Sequence, residues 1–462
     1  ASHFLRLASL QGDEANEESS LAACQCCSAI TTLLESIKKT PELYHSLEPS
    51  LVPLIGQVLS PDGDGDYQFM EFMEDALEIL TYLTYYSPQI SPAVWSLYTP
   101  LTKSFFDWAF DYMSNINMSM DNYISRGNEV FLSDPAHVEV VCRMIEKVMT
   151  GEESAERDVV EGCKLLESLV LNCKGRIDAY IPPLVALIVK RFHGEVKKEF
   201  CRTELLKSLA NCLYYSPELA LRALEEHGAT AFIFQTWFTA IVQSKEEELG
   251  DGTKVQEKTH FKGAHDRKVC ILGLASILRV PAAALPPTVQ AGLGHIVAAA
   301  VTLLQDMEVA RRRKEEEGDD DDDDDEASGP AGIQDVDDDK DEEGDDDDDE
   351  DSLHAKLAKL RDGQGTWDDL FADDDEDEEE YSSPIDEVDD LLFFAESLEH
   401  LSVTAPAAAQ QITQAQLSNE QRAALQAVLD QVPQRKVDIE TRKAAAAAAA
   451  PPGSCLWLSG SV

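Results

Sequence analysis

Between Glu315 and Asp390 the chain carries 40 Asp and Glu against 4 Lys and Arg. Runs such as Asp319–Asp325 and Asp345–Asp349 concentrate that charge further. Like charges at this density, with few apolar residues among them, cannot bury enough surface to offset chain entropy. The stretch is therefore expected to stay extended, solvated and disordered. It divides the 462 residues into a long leading part and a short trailing one.

The charge is unevenly spread. Of the net charge of -50, about -36 lies in this stretch and -13 in residues 1–314, and the part after Asp390 is close to neutral. An acidic surface repels phosphate backbones, which disfavours direct nucleic-acid binding and favours basic protein partners. Ten cysteines, mostly inside apolar helical patterns, read as reduced core residues rather than a disulfide framework. No run approaches the roughly 18 apolar residues of a membrane span. The stretch Phe4–Leu10 is too short and interrupted for a signal peptide.

The leading part is patterned as helices. A first helix is expected over about Glu18 to Lys38, with Leu21, Ile30, Leu33, Leu34 and Ile37 on its apolar side. Helix-start signals of the Ser/Thr/Asp-Pro type recur at Thr40-Pro41, Ser87-Pro88, Ser91-Pro92, Asp134-Pro135 and Ser216-Pro217. The segment Leu80-x-x-Leu83-x-Tyr85-Tyr86-Ser87-Pro88 returns as Leu209-x-x-Cys212-x-Tyr214-Tyr215-Ser216-Pro217. The offset is 129 residues, three times 43. Two helices per period of about 40 to 47 residues is the signature of HEAT or armadillo repeats. The positions Val138, Val141, Cys142, Ile145, Val148 and Met149 follow one buried helical face, as do Val159, Cys163, Leu166, Val170 and Cys173.

The fold class is thus all-α: a HEAT/armadillo-like helical repeat solenoid with a disordered acidic insertion and a short C-terminal helical tail. The expected organisation is a disordered start over 1–17 and a repeat array over 18–317. A disordered acidic segment follows over 318–382, then a helical tail over 383–443 and a low-complexity end over 444–462. Lys245 to Gly263 is read as an inter-helix loop. Ser383-Pro384-Ile385-Asp386 is read as the start of one tail helix. Ser418-Asn419-Glu420-Gln421 is read as the capping box of a second, running to about Lys443. The two would form an amphipathic appendage on the acidic tether. Arg311–Lys314 are the basic end of the last array helix rather than a localisation signal.

No catalytic constellation, cofactor motif or metal site emerges, and the chain is not read as an enzyme. Cys24, Cys26 and Cys27 lack a second ligand pair for zinc and read as a helix core. Asp62, Asp64 and Asp66 lack the glycine and glutamate of a calcium loop and read as a turn. The candidate binding element is the acidic tether itself, with Asp319, Asp320, Asp321, Asp322, Asp323, Asp345, Asp346, Asp347, Asp348 and Asp349 as its densest positions. Such a polyanion would raise the local concentration of lysine- and arginine-rich partners. Ser383 and Thr366, set among acids, are candidate sites for an acid-directed kinase.

Three segments carry a family resemblance: His265-Asp266-Arg267-Lys268-Val269-Cys270-Ile271-Leu272-Gly273-Leu274, Leu213-Tyr214-Tyr215-Ser216-Pro217, and Leu171-x-Cys173-Lys174-Gly175-Arg176. With Leu417-x-x-Glu420-Gln421-Arg422 beyond the acidic stretch, they resemble the C-terminal half of importins seven and eight, in the importin-beta superfamily. The resemblance implies a nuclear transport receptor shuttling between cytoplasm and nucleus through the pore. It implies basic cargo such as ribosomal proteins and histones, and nucleoporin Phe-Gly repeats and importin beta as further partners. It also implies release by the GTP form of Ran, through an N-terminal region that no part of this chain matches, so the chain is expected to be a fragment. The contrasting expectation is an acidic histone-chaperone-like scaffold without transport activity.

Overall fold

The computed structural model describes residues 17–60, 70–151, 154–194, 196–242, 245–248, 254–257, 260–317 and 383–449. The described residues form two compact units, those up to 227 with 383–385, and those of 228–317 with 386–449.

The first unit contains α1 (Glu17–Ser36), α2 (Glu42–Leu59), α3 (Met73–Tyr85), α4 (Tyr98–Asp107), α5 (Met113–Ser125), α6 (Pro135–Thr150), α7 (Glu156–Asn172), α8 (Ile181–His193), α9 (Glu199–Tyr215) and α10 (Pro217–Glu226). The odd-numbered helices stack in sequence, α1 on α3, α3 on α5, α5 on α7 and α7 on α9. The even-numbered ones form a second row in the same way, from α2 to α10. This is the two-layer repeat that the spacing predicts. Helices α3 and α9, which carry the recurring tyrosine segment, sit three steps apart in one row.

Local sequence explains where the helices begin. The Asp134 carboxylate accepts from the Ala136 amide at 2.9 Å and Pro135 opens α6. Ser216 accepts from the Leu219 amide at 3.5 Å ahead of Pro217. Ser91 accepts from Val94 at 3.2 Å and starts a single turn, Pro92–Trp95. Two of the expected starts differ. No helix follows Ser87-Pro88, and the Thr40 side chain makes no cap, although the chain does turn into α2 there.

Burial follows the expected faces closely on α6 and α7, where Val138, Val141, Ile145, Val148, Val159, Cys163, Leu166 and Val170 are buried. On α1 the inward face is Ala23, Cys27, Thr31 and Leu34, and Leu33 is half exposed. At about 25 cal/mol per Å2 of apolar area, this row-to-row burial is the main favourable contribution.

Hydrogen bonds repeat with the same period. Thr81 and Ser119 hydroxyls meet at 3.0 Å and Asn122 donates to Thr84 at 3.1 Å, both 38 residues apart. Asn117 donates to the Glu161 carboxylate at 2.7 Å and Asn211 to Glu167 at 2.6 Å, both 44 apart. The Tyr215 hydroxyl accepts from the Ile177 amide at 2.8 Å, 38 apart, and donates to Asp178 at 2.6 Å.

The second unit contains α11 (Thr230–Val242), β1 (Lys245–Glu248), β2 (Lys254–Glu257), α12 (Ala264–Ile277), α13 (Leu293–Glu317), α14 (Asp390–Thr404), α15 (Asn419–Leu429) and α16 (Val432–Ala449). The expected loop over 245–263 instead contains an antiparallel hairpin. Its register sets Lys245 opposite Glu257 and Glu248 opposite Lys254.

The tail is not a free appendage. Helix α14 packs on α12, and α15 packs on α13. Arg279 donates to Ser397 at 2.7 Å and its guanidinium lies 4.1 Å from the Phe393 ring centre. The Gln416 side chain accepts from Gly294 at 2.7 Å and donates to the Ala291 carbonyl at 3.1 Å.

These hydrogen-bonded partners are 118 to 125 residues apart. The connection between α13 and α14 accounts for 72 of them, and the remainder is one repeat. The acidic stretch is thus an insertion between two stacked repeats, although its own residues 318–382 lie outside those described.

Two tail boundaries also shift. Helix α14 begins at Asp390, capped by Asp389, which accepts from Leu392 at 2.8 Å, rather than at Ser383. The expected long helix through Lys443 is interrupted between α15 and α16, where Pro433 withholds an amide from the helical ladder. The Ser418 capping box is present, with Ser418 accepting from Gln421 at 3.1 Å and the Gln421 side chain accepting from Ser418 at 2.9 Å.

A Cβ added at Gly294 would lie 2.4 Å from the Gln416 Cβ. Gly294→Ala should therefore lift the tail from α13 and cost roughly 1–3 kcal/mol, the usual overpacking penalty. Hydrogen exchange should show lost protection in α15 with α3 to α9 unchanged. Unchanged α15 would refute this account of tail docking.

Candidate functional site

The odd-numbered row carries a line of acids. Helices α1, α3 and α5 contain no Lys or Arg. On α3, Glu74 and Glu78 are exposed and Asp75 half-buried. Asp121, Glu161, Glu167 and Glu204 continue the line, each half-buried.

Neighbouring groups fix these carboxylates in place. Ser168 donates to Asp121 at 2.5 Å, Asn117 to Glu161 and Asn211 to Glu167, as above, and Lys207 to Glu204 at 2.8 Å. Lys164 also donates to Glu161 at 3.0 Å. The row is a set of pre-oriented carboxylates, of which Glu161 and Glu204 are ion-paired with Lys164 and Lys207. The sequence reading missed it, although Asn117/Glu161 and Glu167/Asn211 recur at one repeat spacing.

Two of the family-resemblance segments touch. Lys174 lies 3.2 Å from the Tyr214 ring centre, and Tyr215 clasps Ile177 and Asp178. Gly175 takes a positive φ of 76°, a conformation that favours glycine at this corner. Burial, then the hydrogen bond to Asp178, pushes the Tyr215 hydroxyl up to about 12. This is a structural clasp between α9 and the α7–α8 corner.

The block His265, Asp266, Arg267 and Lys268 opens α12. Arg267 donates to the Phe261 carbonyl at 2.8 Å. Lys268 donates to the Asp386 carbonyl at 3.2 Å, at the end of the acidic connection. Beside it Asp389 accepts from Arg435 at 2.6 Å, and Arg435 lies 3.9 Å from Asp390.

Burial lowers the Lys268 pKa against the pull of Asp390, Asp386 and Asp389. Burial, then the neighbouring Asp389, raises that of Asp390. Lys268, Phe393, Arg435 and Arg442 line a cleft of about 420 Å3 here. Lys268 of the block therefore holds the returning chain. Asp319–Asp323 and Asp345–Asp349 lie outside the described residues.

A second concave feature, of about 630 Å3, is apolar. Phe234, Phe238 and Val242 of α11 face Val289, His295 and Ile296 across it. The Phe238 and His295 rings stack with centres 6.0 Å apart, and Val242 is 65% exposed.

Among the described residues no group of three or more His, Cys, Asp or Glu is placed to hold a metal. Cys27 is buried in the α1 core, while Cys24 and Cys26 are half-buried. Burial pushes the Cys173 and Cys201 thiols up to about 11, which keeps them protonated and poorly nucleophilic. Asp62, Asp64 and Asp66 are outside the described residues.

A family model described as importin-11-like, TPR repeats, matches residues 24–419. Over 294 residues the chain is 35% identical to the importin beta-like SAD2 homolog of Arabidopsis thaliana, covering 63% of this chain and 27% of that protein. It is 34% identical over 280 residues to a probable importin-7 homolog of Dictyostelium discoideum, covering 60% and 24%. It is 29% identical over 447 residues to human Importin-8, covering 94% and 40%. The chain spans about a quarter to two fifths of the length of these relatives. Its in-row spacing is of HEAT length, longer than the 34 residues of a TPR unit.

The raised Asp390 carboxyl makes a signed prediction. Folding raises its pKa, so the native state holds the proton more tightly. Its ionised form is therefore unfavourable, and stability falls as pH rises from the ordinary carboxylate value through the raised one. Asp390→Asn should raise the second unit's thermal stability at pH 7, with the gain shrinking below the ordinary carboxylate range. A loss of stability at pH 7 would mean that the pairing with Arg435 outweighs burial.

Proposed function

The chain belongs to the importin-11-like repeat family, and from that premise we propose that it is a cargo-binding portion of a nuclear import receptor taking basic proteins on its acidic surfaces. The observation that carries this reading is the acidic row, whose carboxylates Asp121, Glu161, Glu167 and Glu204 on α5, α7 and α9 are held by hydrogen bonds from neighbouring groups. The acidic connection adds a second polyanion rooted between two repeats. The row offers shape and the connection offers charge density, so capture precedes fit. Histones and ribosomal proteins have the required chemistry. Release by the GTP form of Ran, and shuttling between cytoplasm and nucleus, belong to the receptor as a whole in this reading.

The apolar groove on α11 fits the second requirement of a pore carrier, a weak pocket for an aromatic ring from nucleoporin Phe-Gly repeats. Its walls are largely apolar, and among the described residues its only titratable lining group is His295. One ring inserted between Phe238 and Ile296 would bury area without an ion pair, which suits brief, repeated contact.

The binding test is a histone titration against salt. The dissociation constant should rise roughly tenfold or more between 50 and 300 mM salt, because screening shortens the reach of exposed charges. Asp→Asn at Asp319–Asp323 and Asp345–Asp349 should weaken capture, and Asp75→Asn with Glu78→Gln should weaken it further. Affinity indifferent to salt and to both sets would sink the reading. Tight histone binding with no affinity for Phe-Gly peptides would instead favour a histone-chaperone scaffold. For the groove, Val242→Asp should abolish Phe-Gly peptide binding while histone affinity is kept, and retained peptide binding would remove the groove from this role.

A further inference from the structure

Where the acidic connection meets α14, the chain reads Asp386-Glu387-Val388-Asp389, a tetrapeptide found once in the sequence. Aspartate at its first and last positions is the pattern read by endoproteases whose cationic pockets accept carboxylates at the cut and three residues before it. We propose that the Asp389–Asp390 peptide bond is a cleavage site for an aspartate-specific cysteine endoprotease, closed in the docked chain by Arg435 and Lys268.

The geometry gives both recognition and closure. Asp386 and Glu387 are exposed in a turn just ahead of α14, and Val388 and Asp389 are half-buried. A protease binds such a segment extended, with the Asp389 side chain inserted in its pocket. In the docked chain that carboxylate is occupied twice, accepting from Leu392 at 2.8 Å and from Arg435 at 2.6 Å. The Asp386 carbonyl is held by Lys268 at 3.2 Å. All three bonds must break before the segment extends. Cleavage then follows the population of the open form, which the ion pair to Arg435 keeps small.

The chemistry balances with water as the only co-reactant. The protease thiolate adds to the Asp389 carbonyl carbon and the C–N bond to Asp390 breaks, with the amine leaving as it takes a proton. Water then hydrolyses the thioester, so Asp389 ends in a carboxylate and Asp390 begins with an ammonium group. The tail keeps its other fastenings, Arg279 to Ser397 and Gln416 to Gly294 and Ala291. The cut therefore frees one end of the acidic connection and leaves α14 to α16 seated. It changes the tether, not the fold.

The test uses the whole chain and a recombinant protease that prefers Asp-Glu-Val-Asp, with fragments identified by intact mass. Wild-type protein should be cut slowly after Asp389. Arg435→Ala should be cut there about tenfold faster or more, as expected on losing a charged hydrogen bond. Asp389→Asn should not be cut at this bond. Arg279→Ala, which loosens α14 away from Asp389, should accelerate cleavage less than Arg435→Ala does. The proposal fails if Arg435→Ala resists the protease, if wild type is cut as fast, if Asp389→Asn is still cut here, or if Arg279→Ala matches Arg435→Ala.

Discussion

A helix of this chain hides its apolar stripe on another helix about one repeat away, and nearly everything else depends on that contact. No single helix pair can remove its own stripe from water, so stability is a sum of neighbour interfaces. The interfaces are not purely apolar. Thr81 with Ser119, Thr84 with Asn122 and Tyr215 with Ile177 place hydrogen bonds 38 residues apart in the middle of the contacts. A buried donor or acceptor left without its partner costs more than the bond is worth, so these pairs penalise a slipped register.

The same rule explains how a strongly acidic stretch is tolerated. It enters after α13 and leaves before α14, between helices that pack on successive members of the second unit. Loop-closure entropy grows only with the logarithm of length, so a 72-residue connection adds little cost beyond that of a short one. What must be defended is the junction. There the chain spends basic residues it otherwise uses sparingly, with Lys268 on Asp386, Arg435 on Asp389, and Arg279 on Phe393 and Ser397. Lys268 of the His265–Lys268 block thus contributes by seating the return of the chain, and the acids it faces are the last of the same acidic run.

Period was the legible part of the sequence. The tyrosine segment repeated at 129 residues because α3 and α9 occupy equivalent places in one row, and the proline signals worked where an Asp or Ser could reach an amide, as at Asp134. What was hidden depends on partners distant in sequence. Leu33 fits the α1 pattern yet faces out, since Ala23, Cys27, Thr31 and Leu34 meet the neighbouring helix instead. Ser383 looked like a helix cap, but Asp389 won because it also accepts from Arg435, 46 residues on. The acidic row was hidden for the same reason. An isolated Glu161 or Glu167 reads as ordinary helix surface, and its fixed orientation appears only when Asn117 and Asn211 come into reach.

The most direct test of neighbour stacking across the insertion is to replace residues 318–382 with a short Gly-Ser linker and follow hydrogen exchange in α12 and α14. If α14 stacks on α12 as the next repeat, protection in both helices stays at the wild-type level and the melting transition of the second unit is unchanged. If the acidic stretch itself holds the tail in place, α14 exchanges freely and the transition broadens or falls, which would contradict the account.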